Sequence, residues 1–396
     1  MTSTSDLGRV QAEWADDELA RIDGAGLRRV PPIISGPPGP TVEIDGRQFI
    51  LLGSNNYLDL AGDPRVREGA AEAARRFGGG AAGSRLVSGT MTIHHELEDR
   101  LAELMGTEDA VLFSSGYIAN LATIPALVGP GDAVFSDALN HASLIDGCRL
   151  SGAAITVYPH ADTRALSEAL VSTTWRRALV VSDSVFSMDA DSAPLPDLVQ
   201  VVRGHGAMLM LDESHSLGVL GPGGGGLAEA TGLPGQVDIV MGTLSKALGS
   251  AGGFIAASAT WCELLRHRAR GYIFDTAPAP AAVGAALAAL AAMRAEPWRQ
   301  ARLHQMTGLL RGRLDAGGLA SLPGGAAIVP VPLGEAARCV AVAAACRDQG
   351  VIAPAIRPPS VADGGSRLRL TVSAGFDAGL VGRAADAILA AVAGTA

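Results

Sequence analysis

Seven short apolar runs, each giving way to a polar turn, most constrain what this chain can fold into. They are Ala110–Phe113, Ala133–Ser136, Ile155–Tyr158, Ala178–Ser182, Ala207–Leu211, Ile239–Met241 and Gly253–Ala257. Short Val- and Ile-rich runs without polar alternation fit strands buried on both faces. Amphipathic stretches between them fit crossover helices. The expectation is an α/β chain whose large domain holds a mainly parallel, seven-stranded sheet covered on both sides. Such sheets take ligands in the loops at strand carboxyl ends. Asp183 and Asp212 both sit where a run gives way to a loop.

The flanks read differently. Residues 1–30 look like a polar, helix-forming arm, and Val30–Pro40 like a linker rich in Pro and Gly. Asp45-Gly46 predicts a hairpin over Thr41–Leu52. Helices are expected over Pro64–Phe77 and Thr92–Leu104, the second with Leu97, Leu101 and Leu104 on one face. Ala277–Ala292 is apolar, but Pro278, Pro280 and Gly284 interrupt it. It is also shorter than the ~20 residues of a spanning helix, so a buried core helix is expected and no membrane span. After Glu296-Pro297 come a polar helix (Trp298–Leu314), two strands (Ala327–Pro332, Arg367–Thr371) and two helices (Ala336–Gln349, Phe376–Val392). That pattern predicts a smaller α+β domain. The expected division is 1–60 for the arm and hairpin, 61–296 for the large domain and 297–396 for the C-terminal domain.

A net charge of -9 argues against nucleic acid as a partner, since phosphate neutralisation needs clustered Lys and Arg. Met1–Asp17 holds no basic segment followed by an apolar core, so no signal peptide is expected and a cytoplasmic location is. Cys148, Cys262, Cys339 and Cys346 form no CxxC pair, which argues for buried free thiols and against a metal site.

Chemistry concentrates at Thr243-Leu244-Ser245-Lys246-Ala247-Leu248-Gly249, about one secondary-structure unit after Asp212-Glu213-Ser214-His215. A lone lysine is usually solvated surface, yet Lys246 stands among small and apolar residues. A lysine amine paired with a carboxylate is what pyridoxal phosphate (PLP) chemistry needs. The amine forms a Schiff base with the cofactor aldehyde. The carboxylate keeps the pyridine nitrogen protonated, so the ring can accept electrons. Asp212 by itself also reads as a helix N-cap. His215 is within reach of the cofactor's 3′-oxygen in this reading.

Phe113 to Asn120 reads as a strand end, a small-residue turn and a helix start. The free N–H groups at Ser115, Gly116 and Tyr117 suit a phosphate, although an ordinary βα turn has the same look. His141 can stack on a pyridine ring or start a helix. In Ser182–Asp189, Asp183 and Ser187 are candidates for cofactor contact, while Asp189 and Asp191 can shape the turn. Arg357, beside Pro358-Pro359, suits bidentate capture of a carboxylate, or is a surface arginine.

Taken together, these motifs resemble the α-oxoamine synthases, fold-type-I PLP enzymes that condense an amino acid with an acyl-CoA and usually release CO2. The resemblance runs from about Leu27 to Thr371. Its marks are Ser54-Asn55-Asn56-Tyr57-Leu58, Gly83-Ser84-Arg85-Leu86-Val87-Ser88-Gly89, Ser115-Gly116-Tyr117, Asn140-His141-Ala142-Ser143-Leu144, Ser184–Asp189, Asp212–His215 and Thr243–Lys246. It implies Lys246 as the Schiff-base lysine and Asp212 at the pyridine nitrogen. It implies Ser187 and His215 near the 3′-oxygen, His141 over the ring, and Gly116, Tyr117, Thr243 and Ser245 near the phosphate. Thr276 would reach the phosphate of a neighbouring subunit, which implies a homodimer with sites at the subunit interface. Asn55 and Arg357 would hold a substrate carboxylate, and Arg28 would face the acyl chain or CoA.

Ile273–Thr276, Ala355–Pro359 and Ser366–Thr371 carry a closer match to the biotin-biosynthesis branch, which joins L-alanine to pimeloyl-CoA or a carrier-protein thioester. Asn56, Asp59, Ser214, Ser216, Gly225 and Ser360 depart from that branch's usual residues. They motivate an alternative, a synthase of specialised metabolism that uses another amino acid or a longer acyl thioester. An aminotransferase is disfavoured by the His141 and Ser187 motifs, and a non-catalytic module by the filled catalytic positions.

Overall fold

The computed structural model describes residues 4–24 and 26–395. Of the expected N-terminal arm, residues 1–3 and 25 lie outside the described residues; Thr4–Gly24 is a helix. Strands β1 (Thr41–Ile44) and β2 (Arg47–Leu51) form the expected hairpin. Its two turn residues, Asp45 and Gly46, have φ of 52° and 73°. Both angles are left-handed, which Asp-Gly tolerates and a two-residue hairpin needs.

All seven apolar runs are strands: β3 (Asp109–Phe113), β4 (Ala133–Asp137), β5 (Ala154–Tyr158), β6 (Ala178–Asp183), β7 (Met208–Asp212), β8 (Ile239–Thr243) and β9 (Gly253–Ala257). They form one sheet in the order β3-β9-β8-β7-β6-β4-β5. Only β9 runs against the rest. Successive side chains of a strand point to opposite faces, and here both faces are covered except at the edge strand β5, where Ile155 and Val157 are exposed. Val181 and Met210 enter one apolar cluster, while their neighbours Val180 and Leu211 enter another on the far side. Register brings the carboxyl ends together, with Asp183 opposite Asp212 and Asp212 opposite Met241.

The C-terminal region adds β10 (Ile328–Gly334), β11 (Val351–Ile352), β12 (Ala355–Ile356) and β13 (Ser366–Thr371). Strands β10, β13 and β12 pair antiparallel, while β11 pairs with β2. The N-terminal hairpin therefore shares a sheet with the C-terminal region. The helix Trp298–Ala316 reads as polar in sequence, yet Leu303, Met306, Leu310 and Leu314 form a buried stripe at three- and four-residue spacing. Arg299 at its start bonds Asp63 Oδ2 (2.9 Å), the Leu58 carbonyl (2.9 Å) and Glu296 Oε2 (2.7 Å). These bonds fix the segment that follows β2. The core helix expected over 277–292 is Pro280–Ala295. Among the described residues no helix is long and apolar enough to cross a membrane. All four cysteines are buried and unpaired.

Candidate active site

A cavity of about 250 Å³ opens at the carboxyl ends of β6, β7 and β8. Its walls include Ser115, Gly116, Tyr117, His141, Asp183, Asp212, His215, Thr243, Ser245 and Lys246, all singled out in the sequence, with Ser143, Ser214 and Met241 beside them. At one end, Ser115 caps the helix Gly116–Leu127, its hydroxyl accepting from Ile118 N at 3.1 Å. The Gly116 and Tyr117 N–H groups, at the positive end of that helix, face the cavity side and can meet an anion. Two hydroxyls, Thr243 Oγ1 and Ser245 Oγ, lie opposite, 2.8 Å apart. Glycine at 116 keeps this end open, since a Cβ there would come within 2.9 Å of Met241 Cε and 3.3 Å of Thr243 Oγ1. Such an arrangement can cradle a phosphate.

Lys246 is the only lysine of the chain. Its Nζ lies 2.9 Å from His215 Nε2. Burial lowers the ammonium to about 8, while Asp212 and Asp183 pull the other way and Arg369 adds to the lowering. His215 is held well below the ordinary imidazole range by burial first, then by Lys246, Arg369 and His141. Asp212 accepts from Asn120 Nδ2 at 2.9 Å and from Ser214 N at 2.9 Å. Asn120 also donates to Ser143 Oγ at 2.9 Å, while its own Oδ1 is buried without a partner.

His141 is both a helix start and a cavity wall. Its N–H donates to Asp183 Oδ2 at 2.7 Å, and its Nδ1 accepts from Ser143 N at 3.3 Å. Nδ1 is thus an acceptor, which leaves the ring proton on Nε2. Burial lowers the His141 pKa, against the pull of Asp212. Asp183 is pushed well above the usual carboxylate range, mainly by burial and next by Asp212 beside it.

Five expected residues do not line this cavity. Ser187 is half-buried, and its carbonyl accepts from Arg369 Nε at 2.5 Å. Asn55 Oδ1 accepts from Arg369 Nη1 at 3.2 Å. Arg357 and Arg28 are brought together, Arg357 Nη2 donating to the Arg28 carbonyl at 2.8 Å. Thr276 is exposed and paired by a β-bridge with Ser84. Tyr57, Asn120 and Arg369 lie within recognisable motifs, but their roles depend on contacts far apart in sequence. The absence of any second lysine was a signal the sequence did carry.

The departures from the biotin pattern sort by position. Asn56 holds a turn: its Oδ1 accepts from Leu60 N (3.0 Å) and Ala61 N (3.1 Å), and its Nδ2 donates to the Pro38 carbonyl (2.9 Å) and Asp59 Oδ1 (3.3 Å). Ser216 is wholly buried against Ser184, and the Gly225 N–H donates to Glu229. Of these six residues only Ser214 is among the cavity's walls.

The loop after β6 is clamped from outside the cavity. His160 Nδ1 lies 2.9 Å from Asp137 Oδ1, and its Nε2 lies 2.7 Å from Asp191 Oδ2. Carboxylates only accept, so both ring nitrogens carry protons and the bridge needs imidazolium. Burial opposes that charge, but the bonds to the two aspartates outweigh it, and the pKa is raised. The stabilisation is therefore full below the unfolded value of about 6.5 and is lost as pH rises through the folded value. His160→Asn should cost about 1.5–3 kcal/mol in urea unfolding near pH 6. The gap should narrow well above neutrality; an equal gap at both pH values would refute the ionic clamp.

The sequence matches the family "Aminotransferase class I and II" over residues 47–388. It is 48% identical to the 8-amino-7-oxononanoate synthase of Anaeromyxobacter dehalogenans strain 2CP-1, covering 98% of this chain and 96% of that one. It is 45% identical to the protein of the same name from Geobacter sulfurreducens, over 94% and 96% of the two chains. A serine palmitoyltransferase variant from S. paucimobilis, solved with a bound PLP–myriocin adduct, superposes with a TM-score of 0.92 at 33% identity over 98% of both chains. The chain belongs to the class I and II aminotransferase family, within its α-oxoamine synthase branch.

Proposed function

We propose that this chain is a PLP-dependent C-acyltransferase that joins L-alanine to pimeloyl-CoA, giving 8-amino-7-oxononanoate, CoA and CO2. The observation that carries the reading is the chain's single lysine, half-buried beside Asp212 and His215 in a cavity that can cradle a phosphate, in a sequence 48% identical to a named synthase of that product. The cavity fits the cofactor in its chemistry: an amine for the aldehyde, a carboxylate for the ring nitrogen and a glycine-cleared helix start for the phosphate.

When bound, PLP supplies an electron sink for a carbanion at the amino-acid Cα. Lys246 Nζ holds the cofactor and, once free, takes the Cα proton. An amine near 8 has an appreciable neutral fraction close to neutral pH, which suits general-base work. Asp212 holds the proton at the ring nitrogen, and Asn120 orients Asp212. His141 would cover one face of the ring and His215 would meet the 3′-oxygen, with Asp183 and Ser187 as further contacts. Gly116, Tyr117, Thr243 and Ser245 take the phosphate. Asn55 and Arg357 hold the carboxylate that leaves as CO2, and Arg28 meets the acyl donor.

The same reading makes the enzyme a cytoplasmic homodimer, with Thr276 reaching the partner's cofactor phosphate. Exposed apolar side chains near the Ser84–Thr276 bridge support an interface there: Leu86, Val87 and Phe274 are 56%, 80% and 68% exposed. It divides the chain at residues 60 and 296, with β2 and β11 joining the first unit to the third.

A second reading, serine with a longer acyl thioester, draws on the TM-score of 0.92 to serine palmitoyltransferase and on Ser214 in the cavity wall. Comparing kcat/KM for alanine, glycine and serine against pimeloyl, hexanoyl and palmitoyl thioesters separates the two. Alanine with pimeloyl-CoA should lead; a lead for serine with palmitoyl-CoA would replace the first reading with the second. Cofactor uptake by unloaded protein should quicken with pH and level off above about 8, where an ordinary lysine would still be gaining near pH 10. A rate still climbing at pH 10 would contradict the buried-amine account.

A further inference from the structure

The hydrogen bonds behind Lys246 fix the position of one proton. Arg369 Nη1 lies 3.2 Å from Asn55 Oδ1. A guanidinium only donates, so the amide atom it meets is the oxygen. Tyr57 Oη lies 3.1 Å from that same oxygen and 2.7 Å from His215 Nδ1. Tyr57 has one proton for these two neighbours, with the Arg369 guanidinium beside its oxygen as a donor; burial raises the Tyr57 pKa against the pull of Arg369, so the proton stays on.

Two arrangements are open. If Tyr57 donates to His215 Nδ1, its oxygen faces Asn55 Oδ1 with no proton between them. Tyr57 is fully buried and His215 is 5% exposed, so water has little access to relieve that contact. The Arg369 guanidinium then serves both oxygens, but a buried contact between two acceptors remains unfavourable. If Tyr57 donates to Asn55 Oδ1, its oxygen accepts from a proton on His215 Nδ1, and every contact is made. His215 Nε2 is then bare, and it faces Lys246 Nζ at 2.9 Å.

We propose that Tyr57 is a positioning residue that keeps the His215 proton on Nδ1, so that bare Nε2 accepts an N–H from Lys246. The consequence falls on the lysine lone pair. With one N–H tied to His215 in the cofactor-free chain, the lone pair of the neutral amine is free for the cofactor's carbonyl carbon. The other tautomer would aim an Nε2–H at that lone pair and occupy it. Tyr57 thus acts on Lys246 through His215 without touching the cavity. The bearing on catalysis rests on the function proposed above; the tautomer itself does not.

The test uses the full chain without cofactor. In ¹⁵N-histidine spectra, with the His215 signals identified by their loss in His215→Gln, wild-type protein should show the Nδ1–H form. Tyr57→Phe should move the ring to Nε2–H. Because the chain has one lysine, ¹³C-lysine labelling gives a single side-chain signal. Its titration should shift downward in Tyr57→Phe, since an Nε2–H repels the ammonium. An Nε2–H ring in wild type would overturn the proposal, even if the variant failed to fold. So would a folded Tyr57→Phe with both signals unchanged. An Nδ1–H ring in a protein that makes no aminoketone would sink the proposed function and leave the tautomer standing.

Discussion

Lys246→Ala protein, treated with PLP and borohydride, should carry no covalent cofactor, and its turnover should fall by at least about 10⁴-fold. The physical reason is that one atom has two duties, holding the cofactor and moving the Cα proton, and no other side chain can take over. Lys246 is the only lysine, so the chain holds no second ε-amine to rescue it. A 10⁴-fold loss is about 5.5 kcal/mol of barrier, far more than any packing change from one truncated side chain near a cavity should impose on a folded protein. Wild-type protein under the same treatment should gain one adduct per chain, on the peptide containing Lys246. An adduct elsewhere, or turnover within tenfold of wild type, would remove Lys246 from the centre of the mechanism.

Asp212→Asn should keep the fold and lose about 10²–10⁴-fold in turnover. The structure separates these effects. Asp212 accepts two hydrogen bonds, one from Asn120 Nδ2 and one from Ser214 N. An asparagine keeps one of them through its own carbonyl. Its new amide would face Asn120, whose Oδ1 is buried and unpartnered and can meet that amide if the Asn120 side chain flips. What cannot be restored is the charge. Asp212 is also the foremost group holding the Lys246 amine up against burial, so the variant's amine should titrate below about 8. A variant with full activity, or with the lysine titration shifted upward, would contradict the role assigned to this carboxylate.

The sheet was legible because its strands are short, apolar and separated by unmistakable turns; each of the seven runs became a strand. Strands β11 and β12 were not, since two residues carry no periodicity. The helix Trp298–Ala316 looked polar because its charged residues outnumber the four that make its buried stripe. In the cavity, residues near strand ends could be read from sequence, because the chain itself sets them at that edge. Tyr57 and Arg369 reach His215 and Asn55 across 158 and 314 residues, and local pattern says nothing about such pairs. Asn120 lies one helical turn past the Ser115-Gly116 turn, where a buried amide looks like any helix residue. Ser187 and Arg357 show the converse. Their motifs are plain in the sequence, but neither lines the cavity; in the proposal Ser187 meets the cofactor and Arg357 the substrate carboxylate.

The most direct measurement is thiol release by purified, PLP-loaded protein given L-alanine and pimeloyl-CoA, with the product's mass determined. The account predicts one thiol and one CO2 for each 8-amino-7-oxononanoate formed. Thiol release without that aminoketone, or amino-group transfer to an oxoacid in its place, would contradict it.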